Sequence, residues 1–183
     1  MVDLSKYDNS WYHPGSTLRR MMWYAVDGLL VSCHWMPVSR VKLAVLRAFG
    51  ANIGRGVVVK PGVRIKYPWL LSVGDYSWIG EDVWIDNLAQ VEIGHNCCLS
   101  QGAMLLCGNH DYRSERFDLK VGEIHVEEGA WIGARATVVG GVRVGREAIL
   151  AVGSVATADL RPDGIYQGNP AQWKRERYKT LKG

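Results

Sequence analysis

Isoleucine, leucine or valine recurs at a fixed step from residue 53 to residue 150, over half of the chain. Ile53, Val59 and Ile65 are six apart; an eight-residue step leads to Val73, Ile79 and Ile85, and another to Ile93, Leu99 and Leu105. A second run follows with Val126, Ile132, Val138, Val144 and Leu150. Since about a quarter of the chain is of these three types, chance would fill roughly three or four of the fourteen sites. The period is neither that of a helix nor that of an alternating strand, so it marks an internal repeat.

Companion positions follow the same period. Gly54, Gly74, Gly80, Gly94, Gly133 and Gly145 come directly after an aliphatic site. Small or β-branched residues recur four after it, among them Val57, Ser77, Cys97, Ala103, Ala130, Ala136, Ala148 and Ser154. This suits a mainly β solenoid: three short flat strands per coil, the aliphatic residue inward and a small residue at the corner. Coils would stack at roughly the 4.8 Å strand spacing, each satisfying its neighbour's backbone. Both eight-residue steps fall after a third strand, so Ile53, Val73 and Ile93 open equivalent coils and the two expansions share one corner.

The pattern divides the chain into an N-terminal helical, amphipathic region at 1–52, a β-helix at 53–160 and a basic tail with a short helix at 161–183. Charge follows the division. Residues 1–52 carry six basic and three acidic side chains, 171–183 five and one, and the solenoid between them is net acidic. A nucleic-acid binder would carry its basic stripe through the folded body, so none is expected as a partner. The four cysteines, at 33, 97, 98 and 107, form no CxxC pair and fit a reducing compartment. Residues 21–38 are the most apolar N-terminal stretch, and Arg19–Arg20 before Leu30-Val31-Ser32-Cys33 resembles a lipoprotein leader. Asp27 interrupts the stretch and argues against both a spanning helix and that leader. Two readings of residues 16–50 stand side by side. One is a helical cap packed on the solenoid. The other is an interfacial helix pair on anionic lipid, with Val41, Leu43, Val45, Leu46 and Phe49 interleaved with Arg40, Lys42 and Arg47.

Between Leu105 and Val126 the step is 21 where six is due, so the loop at 106–125 is extruded from the coil. Long loops on rigid scaffolds often carry function. His110 sits near its base, and an imidazole titrating near neutrality can take the proton of an attacking alcohol. Asp111 either orients that ring or is a solvated loop acid. His95, His110 and His125 are spaced by 15, but nothing in the sequence makes them converge, and no metal is expected. Cys107 lacks a local arrangement that would lower its pKa and is expected to be inert.

The chain resembles the hexapeptide-repeat acyltransferases, whose fold is a left-handed parallel β-helix. The likeness is strongest to the acetyltransferases of colanic-acid and exopolysaccharide synthesis and extends more distantly to galactoside and maltose O-acetyltransferases. Tyr67-Pro68-Trp69, Gly74-Asp75-Tyr76, Asn109-His110-Asp111 and Gly168-Asn169-Pro170-Ala171 carry it, besides the repeat itself. The resemblance implies a homotrimer with acetyl-CoA in the groove between two subunits and His110 as the catalytic base. It implies donor contacts at Trp131 and Gly133, from Trp131-Ile132-Gly133, and at Lys174 and Arg175 in the basic tail. Ala134 stands where several relatives have Ser, leaving its backbone N–H for the oxyanion. Ala158 stands where a phosphate-binding Lys is frequent.

Asp86 and Asn87, before the second expanded corner, either hydrogen-bond an acceptor's hydroxyls or brace the corner as an Asx turn. The expected activity is O-acetylation of a saccharide or of its lipid- or nucleotide-linked precursor, in the cytoplasm or peripherally at the inner face of its membrane. The alternatives are N-acetylation of an amino sugar and a non-enzymatic solenoid scaffold.

Overall fold

The computed structural model describes residues 1–178. Coil one is β1 (Asn52–Ile53), β2 (Val58–Val59) and β3 (Arg64–Ile65); coil two is β4 (Leu71–Val73), β5 (Trp78–Ile79) and β6 (Trp84–Asp86); coil three is β7 (Val91–Ile93), β8 (Cys98–Leu99) and β9 (Met104–Leu106). The hairpin β10 (Gly108–His110) and β11 (Leu119–Val121) interrupts the winding. It resumes with β12 (Ile124–Val126), β13 (Trp131–Ile132) and β14 (Thr137–Val139), then β15 (Arg143–Val144), β16 (Ile149–Leu150) and β17 (Val155–Ala156). β18 (Gly164–Gln167) joins the second face of a sixth turn, and β19 (Gln172–Glu176) runs antiparallel beside it. Three parallel sheets, β1-β4-β7-β12-β15, β2-β5-β8-β13-β16-β18 and β3-β6-β9-β14-β17, make the faces of a left-handed β-helix.

The periodic sites form the core. Ile53, Val73, Ile93, Val126 and Val144 stand in register up the first face, and their counterparts do so on the other two. All fourteen are buried, Ile53 being the most exposed at 8%. A buried aliphatic of this size contributes on the order of 1.5–3 kcal/mol. The turn at the ordinary corners falls three residues after the aliphatic site, where the backbone is left-handed. Glycine holds that place at Gly56, Gly62 and Gly102, but Tyr76, Asp82, Asn96, Arg135 and Glu147 adopt φ of 54–59° there as well. The next residue is small because it points into the vertex, and Ser77, Cys97, Ala130 and Ser154 are all buried.

All three departures from the six-residue step lie at the corner between the third and first faces. There Asn87, fully buried, accepts from the Tyr67 N–H at 3.0 Å and donates to the Tyr67 carbonyl at 2.6 Å. The long insertion at this corner is the ordered hairpin β10–β11.

The N-terminal region caps the first coil. It contains α1 (Thr17–Val26), a wide helical turn over Asp27–Val31, and α2 (Ser39–Ala48). Trp23 is buried and donates its indole N–H to the Ile65 carbonyl at 2.9 Å. In α2, Leu43 and Leu46 are buried against the coil, and the buried Lys42 ammonium donates to the carbonyls of Val31 at 2.7 Å and Lys60 at 3.1 Å. This corrects the interfacial reading of α2: most of the apolar set from Val41 to Phe49 is spent on the solenoid, and only Val41 is exposed.

The basic tail also differs from expectation. Residues 172–176 form a strand where a short helix was expected, because the free edge of β18 offers backbone groups that a strand can pair. Any helix beyond Tyr178 would lie outside the described residues.

Candidate active site

His110 ends β10 and is paired with Leu119 across the hairpin, so its position is fixed by a ladder that grows directly from the solenoid corner. Its ring lies flat on Phe117, with centroids 4.3 Å apart and planes 8° apart, and Tyr7 meets it at 5.6 Å. Nδ1 is 2.9 Å from the Phe117 carbonyl oxygen. A carbonyl can only accept, so Nδ1 carries the proton, and in the neutral ring Nε2 keeps its lone pair. Among the described residues Nε2 has no hydrogen-bond partner.

The imidazole lines a cavity of about 710 Å³ between the corner and the N-terminal region. Tyr7, Tyr12, Tyr24 and Tyr67 supply aromatic walls, with Arg20, Lys66 and Asp86 among the polar ones. Lys66 Nζ lies 3.0 Å from the buried Asp86 Oδ1 and neutralises that carboxylate. Arg20 Nε is buried with no partner among the described residues. The N-terminal arm is strapped over the loop: the Asp3 N–H donates to the Glu115 carbonyl at 2.8 Å, Lys6 pairs with Glu115 at 2.7 Å, and Tyr12 Oη donates to the Leu88 carbonyl at 2.6 Å.

The two candidate acceptor contacts and Asp111 divide. Asp86 lines the cavity, whereas Asn87 is consumed in bracing the Tyr67 corner and offers nothing to a ligand. The Asp111 carboxylate turns away to Lys120 at 2.8 Å and accepts from the Arg113 N–H at 3.0 Å. Those partners hold it below the usual carboxylate range, and the Phe117 carbonyl takes the orienting place beside His110.

The expected donor residues gather elsewhere. Trp131, Gly133, Ala134 and Arg175 line a groove of about 560 Å³ with Ile149, Val152 and Ile165. The Trp131 indole is anchored on Ser100 Oγ at 2.8 Å. Gly133 is required by the stacking itself: a Cβ there would lie 2.6 Å from the Val152 nitrogen of the next coil. Lys174 is exposed and does not line the groove, and Arg177 is held by Glu147 at 2.7 Å. The groove and the His110 cavity have no lining residue in common. In a three-sided coil, the corner bearing His110 lies opposite the face that bears Trp131.

Burial pushes the thiols of Cys97 and Cys107 up to about 11, which keeps both protonated and poor nucleophiles at neutral pH. The three evenly spaced histidines do not converge: His95 Nδ1 accepts from the Asp75 N–H at 2.9 Å, and His125 sits between Glu92 at 3.0 Å and Glu123 at 3.5 Å. Among the described residues there is no group of three or more His, Cys, Asp or Glu placed to hold a metal ion.

Sequence reasoning missed Phe117, Tyr7 and Arg20. One signal was present, since Phe117 is one of only two phenylalanines and falls inside the extruded loop.

No protein-family model matches the chain. Over 181 residues, covering 98% of this chain and all of the other, it is 34% identical to a protein of Escherichia coli (strain K12) named for colanic acid biosynthesis, the acetyltransferase WcaF. A hexapeptide-repeat acetyltransferase of Vibrio cholerae superposes with a TM-score of 0.80 over 88% of this chain and 92% of that one, at 21% identity. A galactoside acetyltransferase solved with coenzyme A gives a TM-score of 0.78 over 90% and 86%, at 19% identity. At such identities the structural likeness carries the fold.

Proposed function

Because the chain belongs to the acetyltransferases of colanic acid biosynthesis, we propose that it moves acetyl from acetyl-CoA to a hydroxyl of a saccharide, free or linked to a lipid or nucleotide carrier. It is an acetyl-CoA-dependent acyltransferase. The V. cholerae neighbour has been solved with acetyl-CoA, and the groove beside Trp131, apolar along most of its length with Arg175 in its lining, suits a pantetheine arm ending in phosphates.

His110 acts as the general base. Its Nε2 takes the proton of the acceptor hydroxyl as that oxygen attacks the thioester carbonyl. The Ala134 N–H, which has no acceptor among the described residues, stabilises the oxyanion. Collapse breaks the C–S bond, and the imidazolium returns its proton to the departing sulfur. Asp86, which lines the same cavity and is ion-paired with Lys66, receives a second acceptor hydroxyl. The observation that carries this reading is the Nδ1 contact to the Phe117 carbonyl, which leaves the basic nitrogen of His110 free at a polar cavity.

A single chain holds the base and the donor groove on different sides of the coil. We therefore take the active form to be a homotrimer in which the His110 corner of one chain faces the Trp131 groove of the next. Among the described residues no helix is long and apolar enough to cross a membrane. A lipid-linked acceptor would place the outer side of the N-terminal helical region, and not the α2 face packed on the coil, at the cytoplasmic membrane surface.

The test is thiol release from acetyl-CoA over a panel of neutral, nucleotide-linked, lipid-linked and amino sugars. Release with hydroxyl acceptors, an alkali-labile ester product and loss of both in His110→Ala are expected. Turnover of amino sugars alone, or an acetyl group trapped on Cys107 or another side chain, would overturn the proposal.

A further inference from the structure

α1 presents three distinct faces. Trp23 packs toward the coil, and Arg20 and Tyr24, one turn apart, line the His110 cavity. On the third arc, about 100° wide at 100° per residue, Leu18, Met21 and Met22 are 69%, 65% and 53% exposed, with the exposed Ala25 between them. Leu29, in the wide turn that follows, is 63% exposed. An apolar stripe of this kind, unpartnered beside a functional cavity, marks an interaction surface.

Charge indicates what the surface meets. From Asn9 to Gly74, which spans both helices and the whole first coil, there are nine Lys and Arg and one acid, Asp27; of the nine, Lys42 is buried and Arg55 and Lys66 are paired with Asp75 and Asp86 of the second coil. Arg40, Lys60 and Arg64 are exposed and have no carboxylate within ion-pair distance among the described residues. Neutral protein surfaces give no reason for three exposed, unpaired cations in the region that carries an apolar stripe. An anionic lipid surface does, since its headgroups attract the cations while its acyl boundary takes up the leucine and methionine side chains.

We propose that the outer face of α1 and its continuation to Leu29 seat this protein on an anionic bilayer, with the surrounding cations on the headgroups. The surface is α1's and not that of the buried α2 residues Leu43 and Leu46. The seating does not depend on acetyl transfer. Its consequence does rest on the proposed function: Arg20 and Tyr24 lie one face away from the stripe, so the acceptor cavity opens beside the lipid, where a carrier-linked sugar would be presented.

The experiment is flotation of the full chain with vesicles of phosphatidylcholine alone and of equal parts phosphatidylcholine and phosphatidylglycerol. The wild type should favour the anionic vesicles at least about tenfold and lose the preference as salt is raised. Leu18→Asp/Met22→Asp should lose at least about tenfold in partition, with unchanged melting, unchanged oligomer mass and unchanged acetylation of a water-soluble acceptor. Arg40→Glu/Arg64→Glu, which leaves the stripe intact, should weaken anionic partition in the same direction. Equal behaviour of the two vesicle types, or full partition of the Leu18/Met22 variant, would overturn the proposal. Dissociation of the oligomer by that variant would also overturn it, by assigning the stripe to contacts between copies. Vesicle binding without any thiol release would instead retain the seating and remove the proposed function.

Discussion

The imidazole of His110 is held twice by Phe117, through a ring stack with 8° between planes and through a 2.9 Å hydrogen bond from Nδ1 to the main-chain carbonyl. Both contacts come from one residue at the far side of the hairpin turn. The tautomer and the ring plane are therefore set by the loop's own fold, and among the described residues no carboxylate is bonded to the histidine.

Loss of the base should be severe, and loss of its sequence neighbour slight. His110→Ala should lower kcat by about 10²–10⁴. Asp111→Asn should stay within about threefold, because that carboxylate is engaged by Lys120 and the Arg113 N–H. Steady-state kinetics of the two variants separate a carbonyl-oriented histidine from a carboxylate-oriented one.

Phe117→Leu keeps the carbonyl and removes the stack. A base misplaced by a fraction of an ångström loses rate, so kcat should fall by on the order of tenfold. The KM for acetyl-CoA should not move, since Phe117 does not line the donor groove. A changed KM with an intact kcat would contradict the positioning role.

At Gly133 the expected defect is in folding. A Cβ placed 2.6 Å from the Val152 nitrogen forces two stacked coils apart, and Gly133→Ala should cost about 1–3 kcal/mol in chemical denaturation. A variant with unchanged stability and weakened acetyl-CoA binding would contradict the stacking role and leave only the donor contact that the resemblance implies.

Burial pushes the Asp27 carboxyl up to about 6, against the pull of Ser32, Arg64 and Lys42, and its Oδ1 has no hydrogen-bond partner among the described residues. The folded chain holds a proton that the unfolded chain has released. Stability therefore falls as pH rises from about 4 to about 6, and the full penalty is present above that. After allowance for partial exposure, Asp27→Asn should stabilise the protein by about 1–2 kcal/mol at neutral pH and by little below about pH 4. Melting curves across that range give the sign.

The solenoid was legible because its core repeats. All fourteen aliphatic sites and the small corner residues lie where the six-residue period put them, since each coil imposes the same geometry on its residues. The departures from the period located the one corner that carries the cavity, and His110 with it. Roles set by tertiary contact were hidden. Asn87 and Asp86 are adjacent and polar, yet one is consumed by Tyr67 and the other reaches the cavity, a difference created by the pleat and the turn. The strand at Gln172–Glu176 was equally hidden, because only the open edge of β18 makes a strand preferable to a basic helix.

The claim that the base and the donor groove come from two chains is tested most directly by mixing defects. His110→Ala subunits and Trp131→Ala/Arg175→Ala subunits are co-expressed and purified as mixed oligomers, then assayed at acetyl-CoA concentrations where each parent is inactive. With random assembly, a neighbouring pair combines an intact His110 with an intact groove about a quarter of the time, so about a quarter of wild-type activity should return. Mixed oligomers no more active than their parents would place the base and the donor on the same chain and contradict the account.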